Sequence, residues 1–300
     1  MGRASSGPVH ALEYAAAVAL FKSLEWTPMP LAKRLSAGYA RILDRAVPRL
    51  RQVGRRNLAL AFPEKSERER EAILDGTFRS IGRVLLAFAR FPSINRDTVN
   101  QWIRYEGYEH FTEALKRGKG VLFATGHLGT WELSAYSHAL MSAPMGVVVR
   151  PLDNPRLDAF VERRRALSGN QLIGKRDFAR PIMQTLRRNE AVGILVDQNV
   201  VADGGVFVDF FGTPACSGTT FAKIAARSGA AVIPGFAFWS EEEQRHILHF
   251  YPEVPITGDL ELDTAAIQQA VERAVRSHPD QWLWIHRRWK TRPPGQPSLY

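Results

Sequence analysis

The spacing of apolar positions divides the chain into two textures. Ile73, Leu74, Phe78, Ile81, Val84, Leu85 and Phe88 recur at intervals of three and four, one stripe along a helix. Ser66, with Glu69 three residues on, forms a capping box that predicts where this helix starts, and Pro92 predicts where it ends. From about residue 105, short β-rich runs alternate with helical periodicities. The predicted strands are 121–125, 146–150, 191–196, 231–238 and 246–250. The predicted helices are 108–117, 130–141, 155–168, 178–188, 219–228 and 264–277. Continuous apolar strands separated by helices imply an α/β fold with a mixed, largely parallel central sheet flanked by helices.

The first hundred residues read differently. The longest near-apolar stretch, 14–21 (YAAAVALF), makes about 12 Å of helix, far short of a ~30 Å hydrocarbon layer. It lacks the cleavage site of a signal peptide and reads as a short amphipathic helix ended by Pro28 and Pro30. No 20-residue apolar run exists, so no ordinary spanning helix is expected. Organisation follows as a basic helical region (1–100), an α/β domain (101–292) and a loose tail (293–300).

Composition adds charge to this picture. The 300 residues carry a formal net charge of +10. Between Leu31 and Leu60, Lys33, Arg34, Arg41, Arg45, Arg49, Arg51, Arg55 and Arg56 face one acid, Asp44, so this segment holds +7 of that excess. Arg41, Arg45 and Arg49 share a helical face. The segment reads either as a solvated face or as a surface for anionic lipid headgroups. No recognisable nucleic-acid motif accompanies it, and no nucleic-acid partner is expected. A lone cysteine, Cys216, excludes an intramolecular disulfide and a cysteine-based metal cluster.

Candidate chemistry lies where the run VLFAT ends in Gly126-His127-Leu128-Gly129-Thr130-Trp131-Glu132. A strand end followed by a glycine-containing turn and a helix is where α/β folds place ligands. Inside one helix, His127 and Glu132 would point about 140° apart. They meet only if His127 sits in the turn and Glu132 in the first turns of the helix, which Gly126 and Gly129 permit. A neutral imidazole can then take a proton from an alcohol while a carboxylate on its other nitrogen fixes the tautomer. A structural histidine is the alternative. His-x4-Glu is not zinc spacing, so no metal is expected.

The box resembles that of the glycerolipid acyltransferase superfamily, and the wider pattern resembles the bacterial lipid A late acyltransferases. NLALAFPEK (57–65), GHLGTWE (126–132), RPLDN (150–154), GILVDQ (193–198), FFGTP (210–214), VIP (232–234) and QWLWIHRRWK (281–290) match in order over residues 10 to 290. The resemblance implies transfer of a fatty acyl group from acyl carrier protein or coenzyme A to a hydroxyl of a membrane glycolipid such as a lipid A precursor. His127 would be the general base and Glu132 its orienting partner, with no resident cofactor. Arg150 matches a position associated with substrate phosphate. Asn154, Asp197 and Gln198 would shape the site together with Gly129. Asp197 serves equally well to hold an arginine. Of the basic run Arg163–Arg165, Arg164 is placed against headgroup or carrier, and Phe211 in the acyl pocket. His286 and His138 read as structural, and the tryptophans around His286 suit a membrane interface.

Family members often carry a clearer N-terminal spanning helix. Its absence here favours a peripheral or monotopic enzyme at the cytoplasmic face of a bacterial inner membrane. Alternatives are acylation of a phosphoinositide mannoside, a lysophospholipid or an amino-acid lipid, or a catalytically silent lipid- or nucleic-acid-binding protein. A hydrolase lacks a recognisable nucleophile.

Overall fold

The computed structural model describes residues 7–174 and 178–300; the first six residues of the basic region lie outside it. Four helices come first: α1 (Gly7–Trp26), α2 (Met29–Ala46), α3 (Pro48–Ala61) and α4 (Glu67–Arg90). Pro28 and Pro48 punctuate them, since proline suits a helix start and ends the one before. The Ser66–Glu69 capping box forms as the sequence predicts. The apolar run at 14–21 extends into the 20-residue helix α1. Among the described residues, no helix is long and apolar enough to cross a membrane.

The remainder builds a seven-stranded sheet from β1 (Ile103–Glu106), β2 (Val121–Thr125), β3 (Gly146–Val149), β4 (Gln171–Gly174), β5 (Ala191–Leu195), β8 (Ala231–Ser240) and β9 (Arg245–Phe250). The order is β1-β9-β8-β2-β5-β3-β4. All neighbours are parallel except β8 and β9. Short β6 (Gly205–Phe210) and β7 (Thr213–Gly218) form a separate antiparallel hairpin. Helices α5 (Tyr108–Leu115), α6 (Trp131–Met141), α7 (Pro155–Ala166), α8 (Ala179–Arg187), α9 (Thr220–Ser228) and α10 (Leu260–Ser277) flank the sheet. The mixed, largely parallel α/β architecture is therefore as the alternating pattern implied. The sequence reading missed β1, β4 and the β6–β7 hairpin.

One core cluster joins α4 and α6 to one sheet face through Phe88, Phe91, Leu133 and Phe123. Another, on the opposite face, gathers Leu122, Ile182, Phe221 and Ile267. A third collects Phe62, Phe210, Phe211, Trp282, Trp284 and Trp289. All three tryptophans are at most 1% exposed. They belong to the core and not to a membrane interface, because residues after α10 run back across the turn that follows β2. Gly129 N–H donates to Gln281 O at 2.9 Å and Leu283 N–H to His127 O at 3.0 Å. The terminal residues, expected to be loose, also fold back: the Tyr300 hydroxyl donates to Asn57 Oδ1 at 2.5 Å.

Gly129 sits at φ +61°, and a Cβ there would lie 1.9 Å from Ala237 O. Gly129→Ala is expected to lower stability by more than about 2 kcal/mol, combining left-handed strain with displaced backbone. Thermal denaturation of the two purified proteins checks this; an unchanged midpoint would contradict it.

Candidate active site

The site is assembled by strand register. Strands β2 and β5 pair in parallel with Thr125 opposite Leu195. His127 and Asp197 each follow by two residues and so leave the sheet edge side by side. His127 Nδ1 lies 2.8 Å from Asp197 Oδ1, and its backbone N–H donates to Asp197 Oδ2 at 2.7 Å. Trp282 Nε1–H donates to the same Oδ2 at 2.8 Å. Gly126 leaves room for the carboxylate: a Cβ there would lie 3.0 Å from Asp197 Cγ.

The expected orienting partner was Glu132, and the structure corrects this. Asp197 holds the ring, while Glu132 receives Arg165, whose Nε donates at 3.0 Å and Nη2 at 2.5 Å. The first turn of α6 carries Glu132 toward α7 and not toward the far side of the imidazole. Asp197 hydrogen-bonds His127 and Trp282, not an arginine. Gln198 Nε2 is 3.3 Å from His127 Nε2. With Nδ1–H donated to Asp197, Nε2 is left as the acceptor.

Electrostatics follow from burial and pairing. Burial by itself would raise the Asp197 pKa, but His127, Trp282 and the His127 backbone N–H hold it at about 2. For His127, burial opposes the charged ring. The Asp197 carboxylate outweighs it, aided by Glu132, and the pKa stands above the ordinary 6.5. His286 behaves as the structural residue expected, its Nε2 accepting the Asn199 N–H at 3.2 Å.

His127, Glu132, Arg150, Arg165, Gln198 and Asn199 line a cavity of about 520 Å³ whose remaining wall is mostly apolar. Its lining comes from both sheet faces, with Phe123 and Phe250 on one side and Phe178 and Phe221 on the other. The sheet lets it through because β3 and β5 pair only at Gly146–Val192 and Val147–Gly193, while β3 stays paired with β4 to Val149. Val148, Val149, Ile194 and Leu195 beyond that split line the cavity. Arg150 stands at the mouth, its side chain 78% exposed.

Other expected site residues go elsewhere. Arg164 turns inward, donating to Phe88 O, Ala89 O and Glu25; its neighbour Arg165, a helical step round, reaches the cavity. Asn154 caps α7, accepting from Arg156 N–H and Leu157 N–H, and ties this cap to α1 through His10 O and Glu13. The Asn-Pro pair was the legible signal of that cap. Phe211 lies in the β6–β7 turn at φ +57°, against Phe62, Phe210 and Trp284, away from the cavity. Gly129 contributes backbone to the turn and does not line the cavity. Sequence reasoning passed over Arg165 as the member of its basic run that lines the cavity, and Arg288 as fully buried. Arg288 donates to Cys216 O, Ser217 Oγ and Gln268 Oε1, while Gln268 donates to Val196 O beside Asp197.

The fold is thus an α/β sheet that carries a carboxylate-held histidine at its edge, in the wall of a mostly apolar chamber. The family profile described as bacterial lipid A biosynthesis acyltransferase matches residues 5–291, and the chain belongs to that family. It is 31% identical over 278 residues to the lipid A biosynthesis lauroyltransferase of Escherichia coli (strain K12), covering 91% of this chain and 90% of the relative. The lipid A biosynthesis palmitoleoyltransferase of the same strain is 31% identical over 254 residues, 84% of this chain and 82% of the relative. The lipid A biosynthesis myristoyltransferase is 26% identical over 287 residues, 94% and 88% respectively.

The His127 ring is expected to titrate above 6.5 in the intact protein. Its neutral, proton-accepting form therefore grows as pH rises through that raised value. In Asp197→Asn the burial cost is no longer offset, and the ring should titrate below 6.5. Histidine NMR across pH reads both; equal values in the two proteins would refute the pairing.

Proposed function

We propose that this protein transfers a fatty acyl chain from a thioester of acyl carrier protein or coenzyme A to a hydroxyl of a lipid A precursor. The observation that carries this reading is the histidine fixed through Nδ1 by a buried aspartate, in the wall of an apolar cavity. Family membership and the relatives named above support the acyl and lipid A parts of the reading.

The acceptor hydroxyl displaces the Gln198 amide from Nε2. His127 takes the hydroxyl proton as the oxygen bonds to the thioester carbonyl carbon. Asp197 stabilises the imidazolium so formed, which is the role of the carboxylate in a catalytic triad. Collapse of the tetrahedral intermediate breaks the C–S bond, and the proton on Nε2 passes to the departing thiolate. An ester and a free thiol result, with no acyl-enzyme. Glu132 keeps Arg165 in the cavity wall, where its charge suits the oxygen of the intermediate. Arg150, exposed at the mouth, suits a phosphate on the acceptor.

Membrane association is part of the same reading. Lys33, Arg34, Arg41, Arg45 and Arg49 are exposed on α2 and α3, with Leu31, Ile42 and Val47 among them. Arg51 is excluded from this surface, being bound to Asp44, Glu71 and Asp75. Cations interleaved with exposed apolar side chains suit an anionic bilayer, giving peripheral attachment at the cytoplasmic face of the inner membrane.

Purified protein incubated with acyl carrier protein and coenzyme A thioesters plus lipid extract should yield a lipid heavier by one acyl group. His127→Ala should remove that product, and Asp197→Asn should slow it by about 10³–10⁴-fold, the loss expected when the ring tautomer is no longer fixed. Mass spectrometry of the lipids reads the result. No His127-dependent product from folded protein would sink the reading. In liposome flotation, binding should favour anionic over neutral vesicles and weaken at high salt; equal flotation would remove the electrostatic part.

A further inference from the structure

Helix α6 presents Trp131, Ala135 and His138 at successive one-turn spacings, and all three line the cavity. Trp131 stands against His127, ring centroids 5.0 Å apart. The helical rise carries His138 about 10 Å further along the wall. The cavity is closed there by Phe123, Met145, Leu248 and Phe250, each no more than 6% exposed. His138 thus occupies the end remote from the reacting histidine and from the exposed mouth.

An imidazole is out of place in such a wall. His138 is 2% exposed, and burial drives its pKa to about 4, so the ring is neutral near pH 7. Nδ1 is 3.1 Å from the Tyr105 hydroxyl, and Nε2 has no partner among the described residues. The rings of Phe111, Phe123 and Phe250 pack round it, with centroids 5.0, 5.3 and 6.0 Å away. Of the other polar side chains of α6 that line the cavity, Ser134 donates its hydroxyl to Trp131 O and Glu132 accepts from Arg165.

We propose that His138, held by Tyr105, is the stop that sets how long an acyl chain the cavity accepts. The proposal rests on the acyl-transfer reading above. A chain whose methyl end stops short leaves room for a water on the imidazole. A longer chain expels that water and seals a polar nitrogen against hydrocarbon, which is unfavourable. The ring cannot swing aside, because the Tyr105 hydrogen bond and the aromatic packing hold it. His138 therefore selects among acyl chains without taking part in the proton transfer.

The test has two readouts. Thermal stabilisation by saturated free fatty acids of increasing length reports binding without turnover. The chain-length profile of transfer from acyl-coenzyme A thioesters reports selection during reaction. Wild type should show a maximum at one length and decline beyond it. His138→Ala should move the maximum to longer chains in both readouts, with each newly accommodated methylene tightening binding about fourfold. His138→Leu keeps the bulk, removes the polar nitrogen and should shift the same way; it serves if the alanine variant does not fold. Profiles of folded variants that overlay wild type overturn the proposal, as does a wild type that no fatty acid stabilises. A fatty-acid profile that moves with His138 while no transfer is found for any protein keeps the stop and removes the acyl-transfer reading. Transfer with an unmoved profile does the reverse.

Discussion

The carboxylate of Asp197 is the point on which the site turns. It is 2% exposed, and a buried charge is tolerated only when its lone pairs are taken by donors. Here three donors converge: the His127 ring, the His127 backbone N–H and the Trp282 indole. They come from two structural sources. The register of β2 against β5 brings His127, and the chain after α10 returns across the post-β2 turn to bring Trp282. Gly126 and Gly129 are small because the carboxylate and Ala237 O occupy the space their side chains would need. The C-terminal tryptophans are buried for the same reason, since the segment that carries Trp282 must lie under the site.

The cavity depends on a second constraint, the early parting of β3 from β5. A continuous sheet would wall off one face from the other. Pairing that stops at Val147–Gly193 opens a passage at the carboxyl ends of the strands, where α/β folds bind ligands. Polar groups gather at the outer end and hydrocarbon lines most of the rest. That division gives the chamber a polar end at its mouth and an apolar interior.

The N-terminal helices join these features to a surface. Asn154 ties α1 to the cap of α7, just beyond Arg150 at the cavity mouth. Arg164 ties α1 to α4 and α7 through Glu25. Two cations of the basic segment, Arg51 and Arg55, are consumed by acids of α4, so the exposed charge is smaller than the sequence total suggests.

Local pattern was enough for much of this protein. Apolar spacing defined the α4 stripe and five of the sheet strands, the Ser66–Glu69 pair set a helix start, and the ordered motifs pointed to His127 and to the family. These features depend on residues a few positions apart, and backbone geometry converts such spacing directly into a face or a cap. Only the tertiary structure decided which side chains meet. Asp197 lies 70 residues from His127 and was chosen over the nearby Glu132 by strand adjacency, which no local spacing encodes. Arg164 and Arg165 have the same chemistry and differ by one helical step, yet packing buries one against backbone carbonyls and turns the other into the cavity. Phe211 and the tryptophans look alike in sequence whether they line a ligand or a core. The return of the chain over the turn after β2 placed them in the core, because burying those large apolar rings there also delivers the indole N–H that Asp197 requires.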